Sequence, residues 1–164
     1  MHPAQPYISA LSAEIGIDIA LSPSGTAAFS ADGRSILFQW ADSPERFAFY
    51  SDIGFISPVR TADVMRRLLS ANFLMHGARG LSLSLNPETG MVGLNAVLRV
   101  YGITAQDFLQ LTDHFVRLAD DWQKRLEQMN ADARRTAAAL GRAEPEPEPA
   151  LGADPQALFG MMSV

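Results

Sequence analysis

Side chains that could do acid–base or metal chemistry are few and scattered. His2, His76 and His114 stand apart from one another, and none lies in the HxxxH or HExxH spacing that brings two imidazoles to one metal ion. Asp120 and Asp121 are adjacent on a predicted helix, where neighbouring side chains diverge by about 100°, and each has a basic residue four positions on. The glycines spell no phosphate-binding loop, and no serine lies in a GxSxG elbow. The sequence therefore predicts no catalytic centre, no metal site and no cofactor.

Composition narrows the functional class of the protein further. The 164 residues carry a net charge of −5, contain no cysteine and are 48% apolar. Such an acidic chain is not expected to bind nucleic acid generally, and it has no disulfide framework or thiolate ligand. No apolar run reaches the roughly 18 residues of a membrane span, and the first residues lack the basic-then-apolar order of a secretory signal. We expect a folded core, and the missing cysteines suit a reducing compartment.

Three segments show the apolar spacing of helices that face a core. The first covers residues 6–15, and the second begins at Thr61, its predicted N-cap, and runs to about Met75. The third begins after Thr104, where an acid three positions on completes an approximate capping box, and stops at Gly141. Its apolar stripe consists of Phe108, Leu111, Phe115, Leu118, Trp122, Leu126 and Met129.

Alternation of apolar and polar residues predicts five strands. The first three cover 26–31, 35–41 and 46–51, with Asp32-Gly33 as a two-residue hairpin turn. Both faces of the second and third strands carry large apolar groups, so one layer of helices does not account for all of them. The last two strands form a hairpin, in which LSLSL at 81–85 turns through NPETG. The returning strand places on one face Val92, Leu94, Ala96, Leu98 and Val100.

The predicted order is α-β-β-β-α-β-β-α, which indicates an α+β domain with an antiparallel five-stranded sheet and three helices. We assign residues 1–140 to this domain. Beyond it, EPEPEPA favours extended, solvated polyproline II, so 141–164 is predicted to be a disordered Glu/Pro-rich tail. The apolar end of the tail, ALFGMMSV, leaves two interpretations open: a frayed terminus, or a segment that docks on another surface.

The apolar surface exceeds what one small core needs, and large exposed apolar patches mark protein–protein contacts. From Leu68 to Leu126 the sequence also resembles the class I type III secretion chaperones of the Tir chaperone (CesT-like) family. The resemblance rests on a Leu-x-x-Asn-aromatic phrase at 69–73, the NPETG turn and a Trp-x-x-Arg-Leu phrase at 122–126. A looser match covers about residues 6–130, and the extension from 131 departs from the pattern.

This resemblance implies a non-enzymatic, cytoplasmic bacterial homodimer that serves virulence. It would bind the N-terminal region of a cognate secreted effector in extended form and keep the effector soluble and secretion-competent. The secretion apparatus ATPase is a further candidate partner. By the same resemblance, the effector would contact Ile8, Leu11, Ile15, Phe29, Ile36 and Phe38. The dimer contact would use Met65, Leu68, Leu69 and Phe73.

Two other functions stay open on the sequence alone. The same fold could serve as a regulatory module that sequesters a transcription factor or a component of the apparatus, and its client would then never be exported. A small enzyme or metabolite-binding protein would instead carry a bound small molecule after purification.

Overall fold

The predicted order of elements is confirmed in a computed structural model that describes residues 2–31, 33–73 and 81–141. Leu74, Met75 and His76, and the predicted tail from 142 onward, lie outside the described residues. The eight elements are α1 (Gln5–Ile15), β1 (Thr26–Ala31), β2 (Arg34–Asp42), β3 (Glu45–Phe55), α2 (Thr61–Asn72), β4 (Ser82–Leu85), β5 (Met91–Arg99) and α3 (Ala105–Ala139).

The five strands form one antiparallel sheet in the order β1-β2-β3-β5-β4. The central hairpin turns as its sequence predicts. The Asn86 side-chain oxygen accepts the N–H groups of Glu88 at 2.9 Å and Thr89 at 3.3 Å, and Gly90 takes a φ of 70°. This turn sets the register that pairs Leu83 with Leu94. A one-residue slip would move every leucine of β4 to the opposite face.

The core lies between one face of the sheet and α3, with α1 and α2 packed beside α3. Its centre is aromatic: the rings of Phe47 and Phe108 lie 4.8 Å apart, and those of Phe38 and Phe49 4.9 Å apart. Phe38, Phe47 and Phe108 are fully buried. Large rings bury much apolar area per residue, so this cluster stabilises the packing of α3 on the middle strands.

The helix ends follow the sequence in two cases and depart from it in one. α1 has a proline in its first turn and ends at Gly16 in the left-handed conformation. At α3, Thr104 and Asp107 form a reciprocal capping box. The prediction that Thr61 caps α2 is wrong: the N-cap is Arg60, with a φ of 52°, and the Thr61 hydroxyl donates instead to the Ser57 carbonyl at 3.0 Å.

A buried arginine ties the start of β2 to α3. The Arg34 guanidinium donates to the Asp120 carboxylate at 3.0 Å, to the Asp52 carbonyl at 2.8 Å and to the Gln123 side chain. The sequence instead suggests pairing of Asp120 with Lys124, four residues on along α3. The tertiary partner takes its place, because Arg34 is only 8% exposed and needs a counter-charge.

Arg34→Met is expected to destabilise the domain by about 1–3 kcal/mol, since the apolar stem stays packed while three hydrogen bonds are lost. This corresponds to a fall of roughly 3–8 °C in the melting temperature, measured by thermal circular dichroism. The control is Arg117→Met, because Arg117 is 75% exposed and pairs with Asp113 four residues away; a change below about 0.5 kcal/mol is expected there. Equal effects of the two substitutions would contradict the assignment.

Candidate protein-binding surfaces

The described helices cover only one face of the sheet. The other face, called the open face below, carries Leu37 and Gln39 of β2, Ala48 and Tyr50 of β3, and Asn95 and Val97 of β5. These side chains line a mostly apolar groove of about 420 Å³. The groove is bounded at one end by the turn residues from Asn86 to Glu88. Val97 is 67% exposed. An exposed apolar groove of this kind marks a candidate surface for binding another protein.

Tyr50 forms the floor of this groove. Its ring lies across Gly93, where any Cβ would collide with the ring, and its hydroxyl donates to the Asp52 carboxylate. Burial, together with this hydrogen bond to Asp52 and the nearby negative charge, raises the pKa of Tyr50 well above its ordinary value of 10.0. The phenol is neutral at physiological pH, as any tyrosine is, and the raised pKa keeps it neutral well into alkali.

The raised pKa of Tyr50 predicts a loss of stability in alkali. Because the folded state favours the neutral phenol, its contribution is complete below pH 10 and declines as the pH rises from there. The slope is at most about 1.4 kcal/mol per pH unit, the limit for one titrating group. Urea unfolding from pH 9 to 11.5 should show a shallower decline for Tyr50→Phe than for the unmodified chain. Parallel curves would contradict this prediction.

Two arginines close the other end of the open face. Arg46 and Arg99 are direct cross-strand partners, on the same side as Ala48 and Val97. No carboxylate of the described residues lies within ion-pair distance of either one. Like charges directly opposite each other are unfavourable in a sheet. This end of the groove is therefore suited to an acidic side chain of a partner.

The free edge of β1 offers a second kind of contact. The Gly25 carbonyl accepts the Trp40 N–H at 2.8 Å, while both backbone groups of Thr26 bond to Ser22 on the outer side. Because directions alternate along a strand, Ala28 and Ser30 also turn their N–H and C=O groups outward. An extended segment could add there as a further strand.

The outer face of α2 is apolar and exposed. Leu69 is 64% exposed and Phe73 72% exposed, and Met65 lies beside them. Leu85 of β4 continues this surface onto the sheet edge. Of the four residues predicted for the dimer contact, the structure brings together Met65, Leu69 and Phe73. The fourth, Leu68, is buried in the protein's own core and is not available to a second copy.

The six residues predicted to contact an effector lie in a different place from the open face. Ile15 is half-buried at the end of α1. Five others are buried in the core, so they cannot form an accessible surface in this conformation: Ile8, Leu11, Phe29, Ile36 and Phe38. The strands are those the prediction names, but the accessible face is the opposite one, with Leu37 and Gln39. The apolar residues on both faces of β2 and β3 are the signal in the sequence that points to this second surface.

The described residues contain no group of three or more acidic, histidine or cysteine side chains placed to hold a metal ion. None of their helices is long and apolar enough to cross a membrane. What the described part of the chain offers is surface for other proteins: an open sheet face, a free strand edge and an apolar helix face.

These features define a small α+β protein-binding domain. The family model of the Tir chaperone protein (CesT) family matches residues 7–123, so the chain belongs to that family. Its class is accordingly that of the type III secretion chaperones, which bind effector proteins. A search of curated protein sequences gave no match.

Solved structures share the fold. The structure of the ExsC-ExsE complex aligns with a TM-score of 0.62 and 22% identity, over 73% of this chain and 90% of the other. The HopA1-SchA chaperone-effector complex aligns with a TM-score of 0.57 and 11% identity, over 73% and 91%. The ExoU-SpcU complex from the type III secretion system of Pseudomonas aeruginosa gives 0.53 and 18%, over 74% and 95%.

Proposed function

We propose that this protein is a cytoplasmic, non-enzymatic homodimer that binds the N-terminal region of a cognate secreted effector in extended form and keeps it soluble and secretion-competent. The observation that carries the proposal is the apolar face of the sheet that the described helices leave uncovered, with the exposed Val97 in its lining. Family membership supports it, as do the chaperone and effector complexes among the similar folds.

The open face and the β1 edge together suit an extended client. An effector segment with alternating apolar residues can lay one row of side chains on Leu37, Tyr50 and Val97. A second part of it can bond to the backbone of Ala28 and Ser30. Many small contacts spread over a long segment offset the entropy lost when that segment is ordered. Arg46 and Arg99 favour clients with an acidic residue beside the apolar row.

The outer face of α2 supplies the dimer contact in this proposal. A twofold dimer places the same patch on both copies, and the exposed Leu69 and Phe73 are residue types that pack well against themselves. Residues 1–140 then hold both functions, while 141–164 is a tail outside the folded domain. The secretion apparatus ATPase remains a candidate partner for the loaded dimer.

Co-expression with a secreted protein encoded beside this chain tests the function. We expect the two proteins to co-purify as a complex of two chaperones and one effector, with a mass measured by light scattering after size exclusion. Val97→Glu should lower the recovered effector at least tenfold, because it places a charge in the apolar groove.

The matched control is Glu127→Gln, an exposed position on α3, which should leave recovery unchanged. Absence of any co-purifying secreted protein would contradict the proposal. A client that binds but is never exported would instead indicate a regulatory module on the same fold.

A further inference from the structure

The end of α3 and one end of the open groove lie at the same end of the sheet. The Asn130 side chain donates to the Phe55 carbonyl at 2.7 Å, and Leu126 packs beside Gly54. Met91, which follows the turn residues bounding the groove, pairs with Phe55. The last turns of α3, from Asn130 onward, therefore begin at the end of the sheet that holds the turn residues bounding the groove.

The chain that follows is long enough to enter the groove. From Asn130 to Ala139 the helix extends about 14 Å beyond the sheet at 1.5 Å per residue. Crossing from the helix layer to the open face adds roughly 10 Å. A chain of the length of 142–156 would reach about 46 Å at the 3.1 Å per residue of polyproline II. The Glu-Pro run also favours an extended spacer over a collapsed one.

The chemistry of the segment beyond this spacer matches the groove. No charged residue occurs between Asp154 and Val164, and the stretch from Ala157 to Met162 reads ALFGMM. Methionine adapts to irregular apolar surfaces, and its sulfur packs well against aromatic rings such as that of Tyr50. The other apolar patch, on α2, is the proposed contact between two copies, so the open face is the surface left for this segment.

We propose that Ala157–Met162 docks on the open face of its own chain, where it occupies the site until an effector displaces it. The displacement rests on the proposed function, whereas the docking does not. A tethered segment acts at an effective concentration on the order of 1 mM. Even a segment with an intrinsic dissociation constant of about 0.1 mM would then weaken effector binding roughly tenfold.

Disulfide trapping in the full chain tests the docking directly, because the natural sequence has no cysteine. Phe159→Cys is combined with Val97→Cys on the open face, with Leu69→Cys on α2, or with Glu127→Cys on α3. All three partner positions lie in the described part of the chain, and none of them is buried in its fold, so the substitutions should not impair folding. Because Leu69 also lies on the proposed dimer contact, the three rates are compared for the intrachain disulfide with Phe159→Cys. Under mild oxidation we expect the Val97 variant to form an intrachain disulfide at least ten times faster than the other two.

Equal rates at the three positions would overturn the proposal, since they would report random collisions. A faster reaction at Leu69 would place the segment on α2 and overturn it too, as would a disulfide found only between chains, which doubles the mass on a non-reducing gel.

The displacement is tested with the effector that co-purifies with the chain. Replacing both Leu158 and Phe159 by aspartate in the full chain should tighten its binding about tenfold, whereas Ser163→Asp should not. Unchanged affinity would overturn the competitive role. A failure to find any effector would count against the proposed function, while the trapping result would still decide the docking.

Discussion

The double substitution Leu69→Asp with Phe73→Asp is expected to convert the proposed homodimer into a folded monomer. Both side chains lie on the outer face of α2, where the described residues leave them 64% and 72% exposed. In a dimer built on this patch they would be desolvated against their own symmetry mates. Placing carboxylates there buries unpaired charges close to one another, which costs several kcal/mol per contact.

Twofold symmetry enlarges the loss of dimer stability that the double substitution causes. Each substitution occurs on both copies, so a loss of about 2–4 kcal/mol per side chain pair is felt twice at one interface. We expect the dimer dissociation constant to rise by at least a factor of a thousand. We expect sedimentation equilibrium at roughly 1–50 µM to show a single species. Its mass should be that of one chain, 17.8 kDa.

The control for this experiment is Val97→Asp, which also puts a carboxylate on an exposed apolar position, but on the open face of the sheet. This variant should remain dimeric and fail to bind effector, while the α2 variant should lose the dimer and keep its thermal unfolding cooperative. If the α2 variant stays dimeric and the Val97 variant dissociates, the assignments of the two surfaces are reversed.

The elements and their order were predictable because each depends on neighbours in the sequence. Alternation placed Leu83 and Leu94 on one face, and NPETG formed the predicted turn around Asn86 and Gly90. The capping box at Thr104 lies within four residues and formed as expected. Local signals of this kind do not need the rest of the fold.

Neighbouring residues in the sequence do not determine which face of the sheet the helices cover. β2 and β3 are apolar on both faces, and alternation alone cannot rank them. The aromatic rings of Phe38, Phe47 and Phe49 pack against Phe108 of α3 and fill the space under the helices. The smaller row with Leu37 and Ala48 faces outward. The strand residues carried over from the family resemblance, Phe29, Ile36 and Phe38, lie on the face that packs against the helices, and their contact with an effector stays a prediction.

The hydrogen-bond and ion-pair partners of some side chains could not be predicted from the sequence either. Asp120 pairs with Arg34, which is 86 residues away in the chain, in preference to a neighbour on its own helix. The Arg60 N-cap of α2 depends on the preceding loop, where the Thr61 hydroxyl is already bonded to Ser57. The first departure arises because a tertiary contact outweighs a local pairing worth only tenths of a kcal/mol, and the second because the Thr61 hydroxyl already has a partner in the preceding loop.

Phe38→Ala and Leu37→Ala are expected to have opposite consequences although they are adjacent in β2. Phe38 is fully buried and its ring contacts those of Phe29, Phe47, Phe49 and Phe108. Removing it leaves a cavity and should lower the free energy of unfolding by about 3–5 kcal/mol. That is a large part of the 5–15 kcal/mol typical of a domain.

Leu37 lines the groove on the open face, so its truncation should cost less than about 1 kcal/mol of stability. At a contact centred on the groove it should weaken effector binding roughly tenfold. Urea unfolding gives the first quantity, and titration with the co-purified effector gives the second, at a temperature where both variants are folded.

Phe38→Ala and Leu37→Ala together show which face of the sheet binds the effector. If effectors bound through Phe38, as the family resemblance implies, Phe38→Ala would weaken binding even where the variant is fully folded, and Leu37→Ala would not. Phe38→Leu serves as the conservative control, because it refills most of the cavity and should recover most of the lost stability. Because Phe38 is buried and Leu37 lines the groove on the open face, we expect folded Phe38→Ala to bind the effector with undiminished affinity. Leu37→Ala should bind it more weakly.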